Sequence, residues 1–403
     1  MSLPKAITVD AVAAAVRRWL LNPKTAVPLT LSLHWQPVFA LLLSRVAERQ
    51  ATKLRWGASV LAAASILIVV NMYLTKQVAN NWVRDTRWNW DDELVVVTGG
   101  SSGLGACITQ RLIARNSRTR VVVVDFQPLR WTLPSDARVH LYQCDLSDSA
   151  ALGATCLRIR QEVGHPSVLF NNAGLARGFT MLEGTPADVE ITIRTNLIAP
   201  FLLAKEFLPE MVRRDHGHIV NTGSLSALLP PAGLVDYSAT KAGLATLHEG
   251  LQLELKARHK APRVRLTLGV FGFVQTPIFS GSCDRWHRAM PLLNADSVGE
   301  RLVEAVYSGY GSTIYLPLVV RWIACLVRGP GKRPWCFVGA LELMTSTQRG
   351  GPEWLSRLVR ERTLGLNLEF KGRQQLDDKT SGIRGIGADR ADASDMVVEV
   401  DAP

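Results

Sequence analysis

The strongest constraint on the fold of this chain is a repeating pattern that begins at Glu93. Short apolar and β-branched runs at 94–97, 120–124, 139–143, 167–170, 218–221 and 263–268 alternate with helical stretches at 103–115, 150–162, 195–214 and 235–259. A seventh short run lies at 312–316. The first four runs are almost continuously apolar, as strands covered on both faces must be. Strands separated by helix-length segments predict crossover connections. The expected architecture is therefore α/β, a doubly wound parallel sheet of about seven strands.

The first strand runs directly into Thr98-Gly99-Gly100-Ser101-Ser102-Gly103-Leu104-Gly105, which opens the first helix. Glycines are required where the backbone turns tightly and approaches a pyrophosphate resting on a helix N-terminus. The strand–turn–helix context makes this the signature of a Rossmann-type dinucleotide site. The second strand ends at Asp125, about 20 residues on. A carboxylate there accepts hydrogen bonds from the adenosine ribose and repels a 2′-phosphate. Together with the uncharged Ser102 this points to NAD(H). Arg130 lies close enough in sequence to leave NADP(H) open.

Composition matters mainly for where it changes. With 47% hydrophobic and 20% charged residues over 403 positions, the chain is neither a disordered polymer nor a polytopic membrane protein. Its net charge of +11 is concentrated at one end. Residues 1–90 hold eleven Lys and Arg against three acidic residues, and six of the eleven Trp: Trp19, Trp35, Trp56, Trp82, Trp88 and Trp90. Residues 91–403 are nearly neutral, so nucleic acid is not an expected partner. Basic residues mixed with Trp are typical of a membrane interface. They surround residues 57–74, an uncharged 18-residue run about 27 Å long as a helix. We therefore expect a membrane anchor at 57–74, with 26–43 as a second, more broken apolar run that could complete a hairpin. The six cysteines show no metal-ligand spacing and read as reduced thiols of a cytosol-facing domain. No metal is expected.

From Glu93 to about residue 280 the chain resembles the short-chain dehydrogenase/reductase superfamily, classical type. The resemblance rests on TGGSSGLG at 98–105, CDLSD at 144–148, NNAG at 171–174, Asn196, Ser224 and the run Tyr237-Ser-Ala-Thr-Lys241. Tyr and Lys are four residues apart, and Ser224 precedes Tyr237 by thirteen. Two longer stretches, AKEFLPEMVRRDHGHIVNTGSLSAL and DYSATKAGLATLHEGLQLELK, resemble a membrane-associated branch of that superfamily. This branch contains retinol dehydrogenase 10 and the 17-beta-hydroxysteroid dehydrogenases of types 11 and 13.

The resemblance implies a catalytic quartet of Asn196, Ser224, Tyr237 and Lys241. Hydride transfer to or from a carbinol carbon needs a group to exchange the hydroxyl proton, and Tyr237 would serve. A phenol of pKa near 10 is a poor base, so Lys241, one helical turn on, would favour the phenolate. Ser224 would bond the substrate oxygen, and Asn196 would hold a water in a proton relay to Lys241. For the cofactor, Gly99, Ser101, Ser102, Gly103, Leu104 and Gly105 would form the pyrophosphate turn. Asp145 would bond the adenine, with Leu146 beside it. Asn172, Ala173 and Gly174 would line the ribose, while Val274 and Thr276 would hold the carboxamide. Phe271-Gly272 stands where the family has Pro-Gly. The resemblance also implies a homodimer built on the long helices carrying Asn196 and Tyr237.

Other features carry less. His216 and His218 are expected on a loop entering a strand, and His248 and His259 at a surface or interface. Residues 279–293, with Trp286 and Met290, would form the substrate loop. Residues 314–327 would form an interfacial or core-packed helix within an extension at 312–370, and 371–403 a disordered tail. These expectations define a basic N-terminal segment (1–90), a catalytic domain (91–311) and the two C-terminal pieces. The expected activity is hydride exchange between NAD(H) and a lipophilic alcohol, ketone or aldehyde (retinoid, sterol or long-chain lipid), at the endoplasmic reticulum or lipid droplet. The alternatives are an NADPH-dependent lipid ketone reductase of the ketosphinganine or acyl-dihydroxyacetone-phosphate type, and a non-catalytic nucleotide-binding scaffold.

Overall fold

The computed structural model describes residues 15, 16, 18, 19, 21–44, 48–278 and 291–320. Trp286, Met290, residues 321–327 of the expected helix and the 371–403 tail lie outside them. The chain divides into two units, Met1–Trp82 and Val83–Pro403.

In the first unit, α1 (Pro23–His34), α2 (Gln36–Leu43) and α3 (Glu48–Ala79) are helical. Small side chains let α1 and α3 approach closely: Ala26 on α1 and Ala51, Ala58, Ala62 and Ser65 on α3 are buried. Thr30 Oγ1 donates to the Ala58 carbonyl at 2.8 Å, and Arg55 reaches His34 Nδ1 at 3.0 Å. Among the described residues α3 is the one helix long and apolar enough to cross a membrane, with an 18-residue window of mean hydropathy 2.0. At 12 and 8 residues, α1 and α2 extend about 18 and 12 Å, each short of a hydrocarbon core of about 30 Å.

The second unit carries seven parallel strands in the order β3-β2-β1-β4-β5-β6-β9. They are β1 (Leu94–Thr98), β2 (Arg120–Asp125), β3 (Val139–Gln143), β4 (Val168–Asn171), β5 (Gly217–Ser224), β6 (Val264–Phe271) and β9 (Thr313–Leu316). A short pair, β7 (Val274–Gln275) with β8 (Leu293–Asn294), stands apart. Crossovers are made by α4 (Gly103–Arg115), α5 (Ser149–Glu162), α6 (Pro186–Ile193), α7 (Ala199–Arg214), α8 (Val235–Ala257) and α9 (Ala295–Tyr307).

Alternate strand residues feed two separate cores, as the period of two requires. Leu94, Val96, Val122, Leu169 and Ile219 face Ile159 of α5, Phe207 and Met211 of α7, and Leu255 of α8. Val95, Val97, Val123, Phe170 and Val220 face Ile108 and Leu112 of α4 and Leu302 and Val306 of α9. Each of these fully covered side chains contributes about 1.5–3 kcal/mol. Strand order reverses between β1 and β4, so a crevice opens at the carboxyl ends of the strands there.

Several details differ from the sequence expectations. β3 is an edge strand with His140 and Gln143 exposed, not a strand covered on both faces. The 195–214 helix is entered through a π turn at Arg194–Ile198. The division between units falls after Trp82 because residues 83–93 pack on the catalytic unit. Trp90 stacks on Tyr307 at 3.7 Å between ring centres and on Trp88 at 5.4 Å. These two tryptophans therefore belong to the α/β core rather than to an interfacial belt, whereas Trp19, Trp35, Trp56 and Trp82 are exposed.

The same connector is held by charge. His216 lies 2.7 Å from Asp85 and 3.3 Å from Glu93. Burial opposes its charge, but the hydrogen bonds to Glu93 and Asp85 outweigh it and raise the imidazole above 6.5. His218 is fully buried within β5, bonded to Thr267 at 2.8 Å, and burial pushes it down to about 3. His248 is likewise buried on α8 rather than at a surface. Arg265, 1% exposed, donates to three backbone carbonyls, those of Gly309, Pro262 and Val83.

Candidate active site

The glycine turn is shaped by what a side chain would hit. A Cβ on Gly105 would lie 1.9 Å from the Gly99 carbonyl oxygen, and one on Gly99 2.9 Å from Ala173 Cα. Gly99 (φ 68°) and Gly103 (φ 55°) also adopt left-handed backbone that other residues rarely tolerate. Ser102 is the N-cap of α4 yet makes no side-chain cap bond, so the first-turn N–H groups are left to a ligand. The turn is locked from behind. Asp125 accepts from Ser101 N at 2.9 Å and Gln127 N at 3.1 Å, and Ser101 Oγ donates to the Gln127 carbonyl. Trp131 Nε1 donates to the Gly100 carbonyl, and Arg130 N to that of Ser101. Ser101 is fully buried, so it shapes the turn rather than offering its hydroxyl outward. Burial raises the Asp125 carboxyl, against the backbone hydrogen bonds that lower it.

Across the switch point, Thr98 Oγ1 accepts from Asn172 N and Ala173 N, both at 3.0 Å. This ties the end of β1 to the loop after β4. Asp145 accepts from Ser147 N and Ser147 Oγ, which fixes the turn after β3. Leu104 and Leu146 bury their side chains in the cores, leaving only backbone for any cofactor contact. Val274 sits in the β7–β8 pair, and the Thr276 side chain lies 3.4 Å from where a Gly103 Cβ would be.

The expected quartet comes from three places. Ser224 ends β5, Tyr237 and Lys241 lie one turn apart on α8, and Asn196 sits inside the π turn. A π turn inserts one residue and is frequent at functional sites. Here it points Asn196 at the loop after β4: Oδ1 accepts from Leu175 N at 2.9 Å and Nδ2 donates to the Leu175 carbonyl at 2.8 Å. Gly174 is where Asn196 and Lys241 converge. A Cβ there would be 3.4 Å from Asn196 Oδ1 and 3.5 Å from Lys241 Nζ.

Lys241 Nζ donates to the Thr222 carbonyl at 2.9 Å and lies 5.5 Å from the centre of the Tyr237 ring. It is 3% exposed, and burial drives its pKa down to about 8. Burial raises the Tyr237 phenol while its hydrogen bond with Ser224 pulls it down. Three neighbours had escaped the sequence reading. Thr222 orients the lysine, Thr240 links Asn196 Nδ2 (3.3 Å) to the Tyr237 carbonyl (2.6 Å), and Ser226 bonds Ser224. Thr222 and Ser226 each stand two residues from Ser224, a spacing that places all three on one edge of the strand end and its turn.

A Rossmann-type sheet with a glycine turn at its switch point and a Ser/Tyr/Lys/Asn group beside it defines a nucleotide-dependent oxidoreductase. Comparison with known families agrees: the family model of the short chain dehydrogenases matches residues 93–284. Dehydrogenase RED2 of Cochliobolus heterostrophus is 33% identical over 237 residues, 59% of this chain and 88% of that one. Retinol dehydrogenase 10 of Rattus norvegicus is 40% identical over 148 residues, 37% of this chain and 43% of that one. Among solved structures, a short-chain dehydrogenase from Sphingobium yanoikuyae in complex with NADPH is 27% identical with a TM-score of 0.47, covering 58% of this chain and 91% of that one. The chain belongs to the short chain dehydrogenase family and is an oxidoreductase.

Proposed function

We propose that this chain is a membrane-associated, NAD(H)-dependent dehydrogenase acting on a lipophilic alcohol or its carbonyl counterpart, with Asn196, Ser224, Tyr237 and Lys241 as its catalytic residues. The observation that carries the proposal is the convergence of Lys241 and Asn196 on Gly174, beside a Tyr237 hydrogen-bonded to Ser224. The residues present fit a dinucleotide: the tight turn that Gly99, Gly103 and Gly105 allow, the open first turn of α4, and Asp125 at the end of β2. When bound, a nicotinamide ring would accept or supply the hydride, and its oxidised form would add positive charge to the site.

In the oxidation direction Tyr237 takes the hydroxyl proton as the carbinol hydrogen leaves with its electron pair, and Ser224 donates to the oxygen that becomes a carbonyl. In reduction Tyr237 returns that proton. With its pKa near 8, Lys241 is poised to pass protons at neutral pH, and Asn196 fixes the loop over which the relay runs.

Membrane association is supported by α3 and the basic, Trp-rich segment around it. A lipophilic substrate is supported by the same feature and by the name of the retinol dehydrogenase relatives. Endoplasmic reticulum and lipid droplet both offer such a surface to a cytosolic catalytic unit. Exposed Phe201 on α7 and Leu253 on α8 support a homodimer. A second cofactor reading rests on Arg130. It is exposed, and its backbone N–H bonds the Ser101 carbonyl of the glycine turn, which supports a cation available to a 2′-phosphate. Dissociation constants for NADH and NADPH decide: tenfold tighter NADPH would overturn the NAD(H) assignment. Tyr237→Phe should lower turnover by about 10²–10⁴-fold, and wild-type turnover in that variant would refute the catalytic assignment.

A further inference from the structure

The turn after β5 contains a hydroxyl that the quartet does not include. Ser224 is the N-cap of a single 3₁₀ turn at Leu225–Ala227 and accepts the Ser226 N–H at 3.1 Å. The Ser226 hydroxyl folds back onto the same oxygen and donates to Ser224 Oγ at 2.9 Å. Ser226 is 8% exposed, so bulk water does not supply this bond in its place.

A hydroxyl has two acceptor lone pairs and one proton. Both acceptor positions of Ser224 are taken by Ser226, one by its backbone and one by its side chain. The Ser224 proton is thereby turned outward, towards Tyr237 and the place where a substrate oxygen would sit. A hydroxyl that itself accepts a hydrogen bond is a better donor, because bonds in series polarise one another. Without the Ser226 hydroxyl, Ser224 could rotate and spend its proton within the turn.

We propose that Ser226 is a positioning residue that sets the direction of the Ser224 hydroxyl, forming a donor chain Ser226 → Ser224 → substrate oxygen. The inference rests on the proposed catalytic role of Ser224 and Tyr237 and extends it by one residue. The Ser226 hydroxyl is engaged by Ser224, so its effect belongs to the transition state, where charge on the substrate oxygen changes, more than to binding.

The test uses the full chain in liposomes, with all-trans-retinol, a 3-hydroxysterol and 2-decanol as alcohols and NAD and NADP as acceptors. Ser226→Ala removes the hydroxyl but keeps the backbone N–H that closes the turn. Losing one such hydrogen bond should lower kcat about three- to tenfold, with KM and cofactor affinity within twofold of wild type. Ser226→Thr, which keeps the donor, should recover at least half of wild-type kcat. The inference is overturned if Ser226→Ala keeps wild-type kcat, if KM rises in place of the fall in kcat, or if Ser226→Thr is as slow as Ser226→Ala. Tyr237→Phe is measured in parallel. An active Tyr237→Phe, or no turnover of any alcohol by wild type, would refute the catalytic reading itself; an inactive Tyr237→Phe beside an unaffected Ser226→Ala would refute only the role of Ser226.

Discussion

Replacing Lys241 by Met should make the catalytic unit more stable while abolishing its activity. Lys241 is 3% exposed and burial moves its pKa from 10.5 to about 8. At 1.36 kcal/mol per pH unit, keeping the ammonium charged inside the folded protein costs about 3 kcal/mol at neutral pH. Its hydrogen bond to the Thr222 carbonyl offsets about 1.5 kcal/mol of that. Methionine keeps the length of the stem and leaves out the charge. The variant should gain about 1–2 kcal/mol at pH 7, or roughly 2–6 °C in Tm. The gain must also depend on pH. Below pH 8 the folded wild type carries the full penalty. Between 8 and 10.5 the folded state releases its proton before the unfolded chain does, so the unfolded state binds more protons and wild-type stability rises. Thermal unfolding of the full chain in detergent, followed by near-UV circular dichroism at pH 7 and pH 10, tests this. A variant less stable than wild type at pH 7, or an advantage undiminished at pH 10, would refute the picture of a desolvated cation.

Three further outcomes are expected. Gly105→Ala forces its Cβ against the Gly99 carbonyl, so isothermal titration should show dinucleotide affinity reduced at least tenfold. Asp125→Ala should raise NADPH affinity relative to NADH by several-fold in the same assay, since it removes the repulsion of a 2′-phosphate; an unchanged ratio would show that the carboxylate only braces the turn. His216 has a raised pKa, so its contribution is fully present below pH 6.5 and is lost as pH rises through the folded value. His216→Gln should therefore destabilise the protein most at pH 6 and flatten the decline of Tm above 6.5.

Much of this fold is written locally. Val95–Val97 and Val121–Val124 are interior strands by composition alone, and β1 and β2 start where the runs start. Tyr237 and Lys241 could be paired from their spacing, since i and i+4 share a helix face. What escaped depends on the rest of the molecule. Residues 83–90 share the composition of the preceding membrane-like segment, yet Trp90 finds Tyr307 more than two hundred positions away in the chain, and Trp88 finds His216 more than one hundred away. The edge position of β3 follows from strand order, which a run of five residues does not encode. The π turn at Asn196 has no composition of its own, because it is imposed by the fit of α6 and α7 to their neighbours. The helix Ala295–Tyr307 is absent from the sequence reading, although Val298, Leu302 and Val306 stand at helical spacing behind Asn294 as cap.

The Arg265 guanidinium has a mechanical consequence. Val83 is the first residue of the catalytic unit, and its carbonyl is gripped by a side chain rooted in β6. Tension entering along the chain from α3 thus meets β6 before it meets β1. β6 is flanked on both sides by parallel neighbours, β5 and β9, so the load is shared as shear across three strands. The glycine turn, which hangs from the end of β1, is left outside that load path, and a pull on the chain ahead of Val83 does not stretch the cofactor cradle.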